Sequence, residues 1–296
     1  MQTVAAIEQS SELRKPSRGY LICGMERTGS TLLVEMLTAT RVAGNPIEYF
    51  NPDMQHRPRV RKILGDSNMI DGLPKILSAG TTPNGVFGAK IHWNHFRFLA
   101  KSLDGEWEEK IRLELLDLLR GQLPRLLRQA EANELLSTKV PDLSLHTRSF
   151  EFLRSYVPDL RVLWLRRRND VARAISHYRA LKTGVWYRHT GDSNSNESMP
   201  PIEFDLGEIH TRVILAAFQD LHWEKFFHEV GISPHCLFYE EMVEDLQGSL
   251  KGVLDFLEID ESGASSQEFI SEKQADETSL EWEERYRDAA QAAGVL

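Results

Sequence analysis

The sequence predicts an α/β fold with a mainly parallel central sheet flanked by helices. Short apolar segments alternate with longer amphipathic segments along the chain, which is the pattern of parallel strands joined by helices. Residues 161–165 have an all-apolar centre, as expected of a strand that is buried on both faces. Residues 19–23 have the same character, and a glycine and an amphipathic helix follow them directly.

Taken in order, the elements begin with a strand that ends at Gly24 and a helix that opens near Ser30. The later elements are a helix over 68–79, a strand over 85–93, helical residues 106–136, a helix over 144–156, a strand over 161–165, a helix to about 182, a loop over 191–201, a helix over 206–230, a strand over 236–239, a helix over 242–258 and a helix near 280–292. We expect a loose tail over 1–18 and a single domain over 19–296.

Composition excludes several classes of protein. The 296 residues carry a formal net charge of −9, which disfavours a nucleic-acid partner, since such partners need a basic face. Cys23 and Cys236 give no disulfide framework, and we expect both to be buried thiols of a cytoplasmic protein. The first residues contain no apolar segment typical of a signal peptide, and no stretch is long and apolar enough for a transmembrane segment.

The segment after the first strand indicates a phosphate site. A strand, a loop of small residues and a helix start bind phosphate through backbone N–H groups and the positive end of the helix dipole. Ser30 stands where the lysine of a Walker A motif would be, so the group bound differs from the γ-phosphate of a nucleoside triphosphate. An ordinary strand–turn–helix is the alternative. The candidate binding residues are Arg27, Thr28, Gly29, Ser30 and Thr31.

A second basic element follows the strand over 161–165. Ligands of open α/β sheets bind at the carboxyl ends of strands, where Arg168 lies, and Ser176 follows on the next helix. A guanidinium and a hydroxyl can clamp a phosphate. The alternative is a solvated arginine run stabilised by Asp170. Together with the Arg27 loop, this clamp suits a nucleotide phosphorylated at two places.

These segments resemble the bacterial trehalose 2-sulfotransferase family, whose members use 3′-phosphoadenosine 5′-phosphosulfate (PAPS). The resemblance extends from about residue 19 to residue 290, and several blocks match in the same order. The matching positions are residues 27–33, 42–50 and 85–90, Arg168 with Ser176, and the C-terminal Gln274, Ala275, Asp276, Glu281, Trp282, Arg285 and Tyr286.

The resemblance implies a P-loop-like sulfotransferase fold and a role for each matched residue. It places the 5′-phosphosulfate on residues 27–31 and the 3′-phosphate on Arg168 and Ser176. Arg27 is also expected to be catalytic, because it would contact the group that leaves. It includes Gln274 among the donor-binding residues and makes Glu48 the general base. It also implies that Lys90 is the catalytic lysine beside the sulfuryl group, with Lys139 of a Lys-x-Pro element as a second candidate.

Some of these residues also have simpler interpretations. Glu48 is otherwise a surface carboxylate after a turn, and Lys90 a strand-edge lysine that faces solvent. The histidines show no metal-ligand spacing, and a sulfuryl transfer of this kind needs no metal, so we expect no metal site. Asn45 departs from the family, because the resemblance places a second glutamate beside the sugar at this position.

The expected activity is sulfuryl transfer from PAPS to a hydroxyl of trehalose, or of a related glycoside or glycolipid. Tyr49, Phe50 and Trp93 are expected near the acceptor, because aromatic rings suit the C–H faces of sugars. A P-loop kinase or NTPase and a non-catalytic nucleotide-binding module of the same fold are the alternatives. Whether the protein forms a homodimer is left open.

Overall fold

The computed structural model describes residues 13–51, 58–103, 143–186, 202–260 and 277–292. It confirms the α/β class, with one four-stranded parallel sheet flanked by helices. In chain order the elements are β1 (Arg18–Gly24), α1 (Ser30–Thr40), α2 (Pro58–Leu64), α3 (Leu73–Gly80), β2 (Val86–Ile91), α4 (Trp93–Leu103), α5 (Ser144–Tyr156), β3 (Leu160–Arg166), α6 (Asp170–Thr183), α7 (Leu206–Glu229), β4 (His235–Phe238), α8 (Tyr239–Glu244), α9 (Leu246–Phe256) and α10 (Glu277–Ala292).

The strands of the sheet lie in the order β2-β1-β3-β4. Ile22 in β1 is aligned with Lys90 in β2 and with Leu163 in β3. Because the strands are parallel, their carboxyl ends meet at one edge, which is where open α/β sheets bind ligands. The segments that follow β1, β2 and β3 therefore converge at this edge.

The alternating side chains of β1 divide the core into two layers. Leu21 and Cys23 pack on one face with residues of α3, α4, α5 and α7. Tyr20 and Ile22 pack on the other face with residues of α1 and α9. Both faces of β1 are covered, which explains why its sequence is an almost continuous apolar run.

Two predicted boundaries are wrong. The second strand ends before Trp93, because His92 leaves the sheet and its N–H donates to His95 Nδ1 at 3.2 Å. The helix predicted over 242–258 is two helices, since Asp245 accepts the N–H of Gly248 at 2.7 Å and caps a new helix. The other described elements agree with the prediction in type and order, except that helix α2 was not predicted. Residues 106–136 and 191–201 lie outside the described residues.

The two cysteines differ in exposure. Cys23 is buried, as predicted, but Cys236 is exposed. Cys236 lies in β4, the strand at one end of the described sheet, so the prediction of two buried thiols is wrong for this residue. Within the described ranges, no helix combines the length and apolar character needed to cross a membrane.

Candidate active site

The loop between β1 and α1 has the backbone of an anion-binding turn. Arg27 and Gly29 are both left-handed, with φ of 65° and 83°. Gly29 precedes Ser30, the first residue of α1, and no side-chain hydrogen bond from a described residue caps this helix start. N–H groups of the first helical turn have no partner within the helix, so they and the helix dipole can bind an anion. The predicted strand–loop–helix geometry is confirmed.

Close packing holds this loop in place. A Cβ atom at Gly29 would lie 2.5 Å from Cδ2 of Tyr239, the first residue of α8, and a side chain would also be strained at this φ. Thr28 is fully buried, and its hydroxyl donates to the carbonyl of Met25 at 2.8 Å. The loop therefore has little freedom to rearrange.

Arg27 joins the loop to α6. Its Nε donates to Ser176 Oγ at 2.8 Å, and its guanidinium also donates to the carbonyl of Trp186. Arg167 in turn donates to the carbonyl of Arg27 at 3.2 Å. Burial, and then the positive charge of Arg167, lowers the pKa of Arg27. Cationic groups from two strand ends thus gather at the edge where an anion is expected.

Arg168 and Ser176 have different partners in the structure. Ser176 contacts Arg27, whereas Arg168 forms an ion pair with Glu241. The Arg168 guanidinium lies 3.9 Å from the centre of the Phe238 ring, and its side chain is 50% exposed. A shared phosphate between Arg168 and Ser176 stays a prediction. The sequence reasoning did not identify the two glutamates at the start of α8 as partners of this site. Their position soon after a predicted strand was the signal for them.

Lys90 of β2 links Glu48 to the loop and helix start that follow β1. The N–H of Lys90 donates to the carbonyl of Ile47 at 3.0 Å, so this segment runs beside the end of the strand. Glu48 Oε1 lies 2.7 Å from Lys90 Nζ, which donates to Ser30 Oγ at 3.2 Å. The structure therefore brings together Glu48, Lys90 and Ser30, three predicted site residues from separate segments.

The surface interpretations of Glu48 and Lys90 are wrong. The two residues are 7% and 8% exposed. The Nδ2 of Asn51 donates to the second carboxylate oxygen of Glu48 at 2.7 Å, which fixes the orientation of the carboxylate. Buried charges persist only when they are paired and hydrogen-bonded, and this pair satisfies both conditions.

Two histidines and a further carboxylate adjoin this pair. His92 Nε2 lies 3.7 Å from Glu48 Oε1, and His92 Nδ1 lies 2.8 Å from the carbonyl oxygen of Gly24. Burial lowers the pKa of His92, but the Glu26 and Glu48 carboxylates together raise it by more, so the pKa lies above its ordinary value. The pKa of His95 is lowered to about 3, chiefly by burial and then by His92.

Glu26 was missed by the sequence reasoning. Burial raises its pKa, but His92, His177 and the backbone N–H lower it by more, so the carboxylate stays ionised. Its position in the sequence was a signal for Glu26, because a carboxylate within an anion-binding loop would repel the anion expected there.

The aromatic residues expected near the acceptor do not line the site. Tyr49 and Phe50 are fully buried. The ring of Trp93 stacks with the imidazoles of His146 and His222, whose ring centres lie 3.8 Å and 5.3 Å away. The prediction that these rings face a sugar is therefore wrong, because all of them belong to the core beneath the sheet edge.

Part of the predicted C-terminal pattern supports α6. Trp282 and Tyr286 in α10 are buried in a cluster with residues of α6 and α7. The hydroxyl of Tyr286 is hydrogen-bonded to Nδ1 of His210 at 2.8 Å. These contacts position the helix that carries the predicted phosphate-binding serine. Gln274 and Lys139 lie outside the described residues.

Similarity to known proteins extends over nearly the whole chain. The sequence profile of the Stf0 sulphotransferase family matches residues 19–111 and 116–289. Trehalose 2-sulfotransferase of Mycolicibacterium smegmatis is 28% identical over 298 residues, which cover 93% of this chain and 97% of that protein. Trehalose 2-sulfotransferase of Mycobacterium tuberculosis is 28% identical over 300 residues, covering 94% and 97%. The chain is a member of the Stf0 sulphotransferase family.

Proposed function

We propose that this sulfotransferase moves the sulfuryl group of PAPS to a sugar hydroxyl. Trehalose or a trehalose-like glycoside is the first acceptor to test, and a glycolipid or cell-surface glycan sugar is the second. The observation that carries the proposal is the contact chain from Glu48 through Lys90 to Ser30, which links a buried carboxylate to the helix start. In-line transfer to a hydroxyl needs a proton acceptor and a cation beside the reacting group.

The donor would lie along the carboxyl edge of the sheet. The N–H groups of residues 28–31 and the guanidinium of Arg27 would hold its 5′-phosphosulfate. Arg168 and Ser176 would hold its 3′-phosphate. The present ion pair of Arg168 with Glu241 is half exposed, and such pairs contribute little, so a phosphate can replace the carboxylate.

In the transfer, the acceptor oxygen forms a bond to sulfur as the bond from sulfur to the 5′-phosphate oxygen breaks. The electron pair of the broken bond stays on the phosphate. Glu48 takes the proton of the acceptor hydroxyl. Lys90, or Lys139, stabilises the charge on the sulfuryl oxygens or the leaving phosphate. The contacts of the Lys90 ammonium with Glu48 and Ser30 support Lys90 for this role.

A sugar acceptor is supported by the relatives, both of which are trehalose 2-sulfotransferases. Asn45, at the position where the family resemblance implies a glutamate, donates from Nδ2 to the carbonyl of Ala79 at 3.0 Å and so contacts α3. The contacts to the sugar would therefore differ from those of the trehalose enzymes. This difference is the reason for including trehalose-like glycosides.

The test is sulfate transfer by the purified full-length chain with radiolabelled PAPS. The acceptors would be trehalose, other glucosides, a glycolipid, a phenol and an amine. We expect a labelled sugar product that depends on the sulfated donor. Transfer to the phenol or the amine but to no sugar would overturn the acceptor class. Calorimetry in which ATP binds more tightly than adenosine 3′,5′-bisphosphate would overturn the donor.

A further inference from the structure

His92 lies beside Glu48 but has no part in the reaction described above. It is buried where β2 ends, and its Nε2 lies 3.7 Å from Glu48 Oε1. Its Nδ1 lies 2.8 Å from the carbonyl oxygen of Gly24. A carbonyl oxygen only accepts hydrogen bonds, so Nδ1 carries the hydrogen, and Nε2 of the neutral ring presents a lone pair on the side of Glu48.

We propose that His92 receives from Glu48 the proton of the acceptor hydroxyl. The inference rests on the proposed function, because Glu48 must first take that proton. The separation of 3.7 Å between Nε2 and Oε1 first shortens to hydrogen-bond distance, as catalytic contacts do in the substrate complex. The O–H bond on Glu48 Oε1 then breaks and leaves its electrons on the carboxylate, while the lone pair of Nε2 forms the new N–H bond. The step converts a carboxylic acid and an imidazole into a carboxylate and an imidazolium, and the proton later leaves to water.

The ion pair between Glu48 and Lys90 gives a physical reason for this transfer. Once Glu48 is protonated, the buried ammonium of Lys90 loses its counter-charge, which is costly in a site of low polarity. Moving the proton to His92 restores the carboxylate beside Lys90. The resulting imidazolium lies 3.7 Å from the same carboxylate, so each charge has a partner.

The charged and titratable groups facing His92 favour its protonation. They are Glu26 from the loop after β1, Glu48 from the segment after α1, Lys90 from β2 and His95 from α4. Glu26 and Glu48 stabilise the imidazolium, whereas Lys90 opposes it. His95 Nδ1 accepts the N–H of His92, and its lowered pKa keeps that ring neutral. His92 is therefore the histidine that can hold the proton.

The test is the pH dependence of kcat at saturating donor and acceptor. His92 must begin neutral, so wild-type kcat should fall at low pH with an apparent pKa above the ordinary value of about 6.5. His92→Gln retains an amide near Glu48 but cannot take a proton. We expect at least about a tenfold loss of kcat and the disappearance of this acid limb. Glu26→Gln should shift the limb to lower pH, because it removes a negative charge that favours the imidazolium.

His95→Asn is the matched control, since it removes a neighbouring buried imidazole and its Oδ1 can still accept the N–H of His92. It should keep the acid limb. The role of His92 is overturned if His92→Gln keeps both the limb and near wild-type kcat. If that variant does not fold, NMR titration of wild-type imidazole carbons decides, because a His92 pKa below about 6.5 also overturns the inference. A wild-type chain that transfers no sulfate refutes the proposed function and this inference together.

Discussion

The Nζ of Lys90 lies 2.7 Å from Oε1 of Glu48, and both side chains are buried at the carboxyl edge of the sheet. Removing one partner of a buried ion pair leaves an uncompensated charge that costs about 3–5 kcal/mol. Substitutions in this pair therefore affect both stability and chemistry. Each variant below is paired with a binding or stability measurement for this reason.

Glu48→Gln tests the general base. The amide keeps the shape of the carboxylate and can accept from Lys90, but it cannot take the acceptor's proton. We expect kcat to fall by about 10²-fold or more, with little change in calorimetric affinity for adenosine 3′,5′-bisphosphate. Glu151→Gln, an exposed glutamate on α5, is the control and should leave kcat unchanged. Near wild-type turnover of Glu48→Gln would place the base elsewhere.

The convergence of Glu48, Lys90 and Ser30 could be predicted only in part. Parallel strands end at one edge, so a parallel sheet by itself brings residues after the first strand near the end of the second. The position of Glu48 depends instead on long-range bonds. The hydroxyl of Tyr20 donates to the carbonyl of Ala43, and the N–H of Lys90 donates to the carbonyl of the residue before Glu48. Local sequence patterns do not encode such bonds.

The contact of Ser176 with Arg27 and the position of Trp93 depend on how whole elements pack. Spacing along the chain paired Ser176 with Arg168, but β3 lies beside β1 in the sheet, and this order brings α6 against Arg27. Trp93 continued an apolar run and was assigned to a strand, yet it begins α4 and enters the aromatic core. In both cases the arrangement of whole elements decided the contact.

Lys90→Met tests which lysine stabilises the transferred sulfuryl group. We expect kcat to fall by about 10²-fold, and the melting temperature to fall because Glu48 stays buried without its partner. The double variant Lys90→Met/Glu48→Gln should recover stability but not activity, since it removes both charges. Lys139→Met is the matched comparison. A larger loss of kcat in Lys139→Met than in Lys90→Met would assign the role to Lys139.

Arg168→Ala tests the 3′-phosphate clamp. A hydrogen bond to a charged group contributes about 1.5–3 kcal/mol, so affinity for adenosine 3′,5′-bisphosphate should fall by about tenfold or more. Affinity for adenosine 5′-monophosphate, which lacks the 3′-phosphate, should change little. Glu241→Gln removes the carboxylate that now holds Arg168 and should not weaken binding. Equal losses for both nucleotides in Arg168→Ala would refute the clamp.

His95 should make the fold sensitive to acid. Its pKa is lowered to about 3 in the folded protein, chiefly by burial and then by His92. The unfolded chain binds a proton at this residue below about pH 6.5, whereas the folded chain does not until much lower pH. The contribution of His95 to stability is therefore complete above that pH and is lost progressively as pH falls. At pH 5 the loss amounts to about 2 kcal/mol.

His95→Asn removes the titrating group and leaves an acceptor for the N–H of His92. Urea unfolding at about pH 7.5 and about pH 5 would measure the free energy of unfolding of both proteins. The wild-type protein should lose up to about 2 kcal/mol more than the variant between these values. His228→Asn changes an exposed histidine at the end of α7 and should follow the wild type. An identical pH dependence in wild type and His95→Asn would contradict this, because a buried neutral imidazole must resist protonation until the chain unfolds.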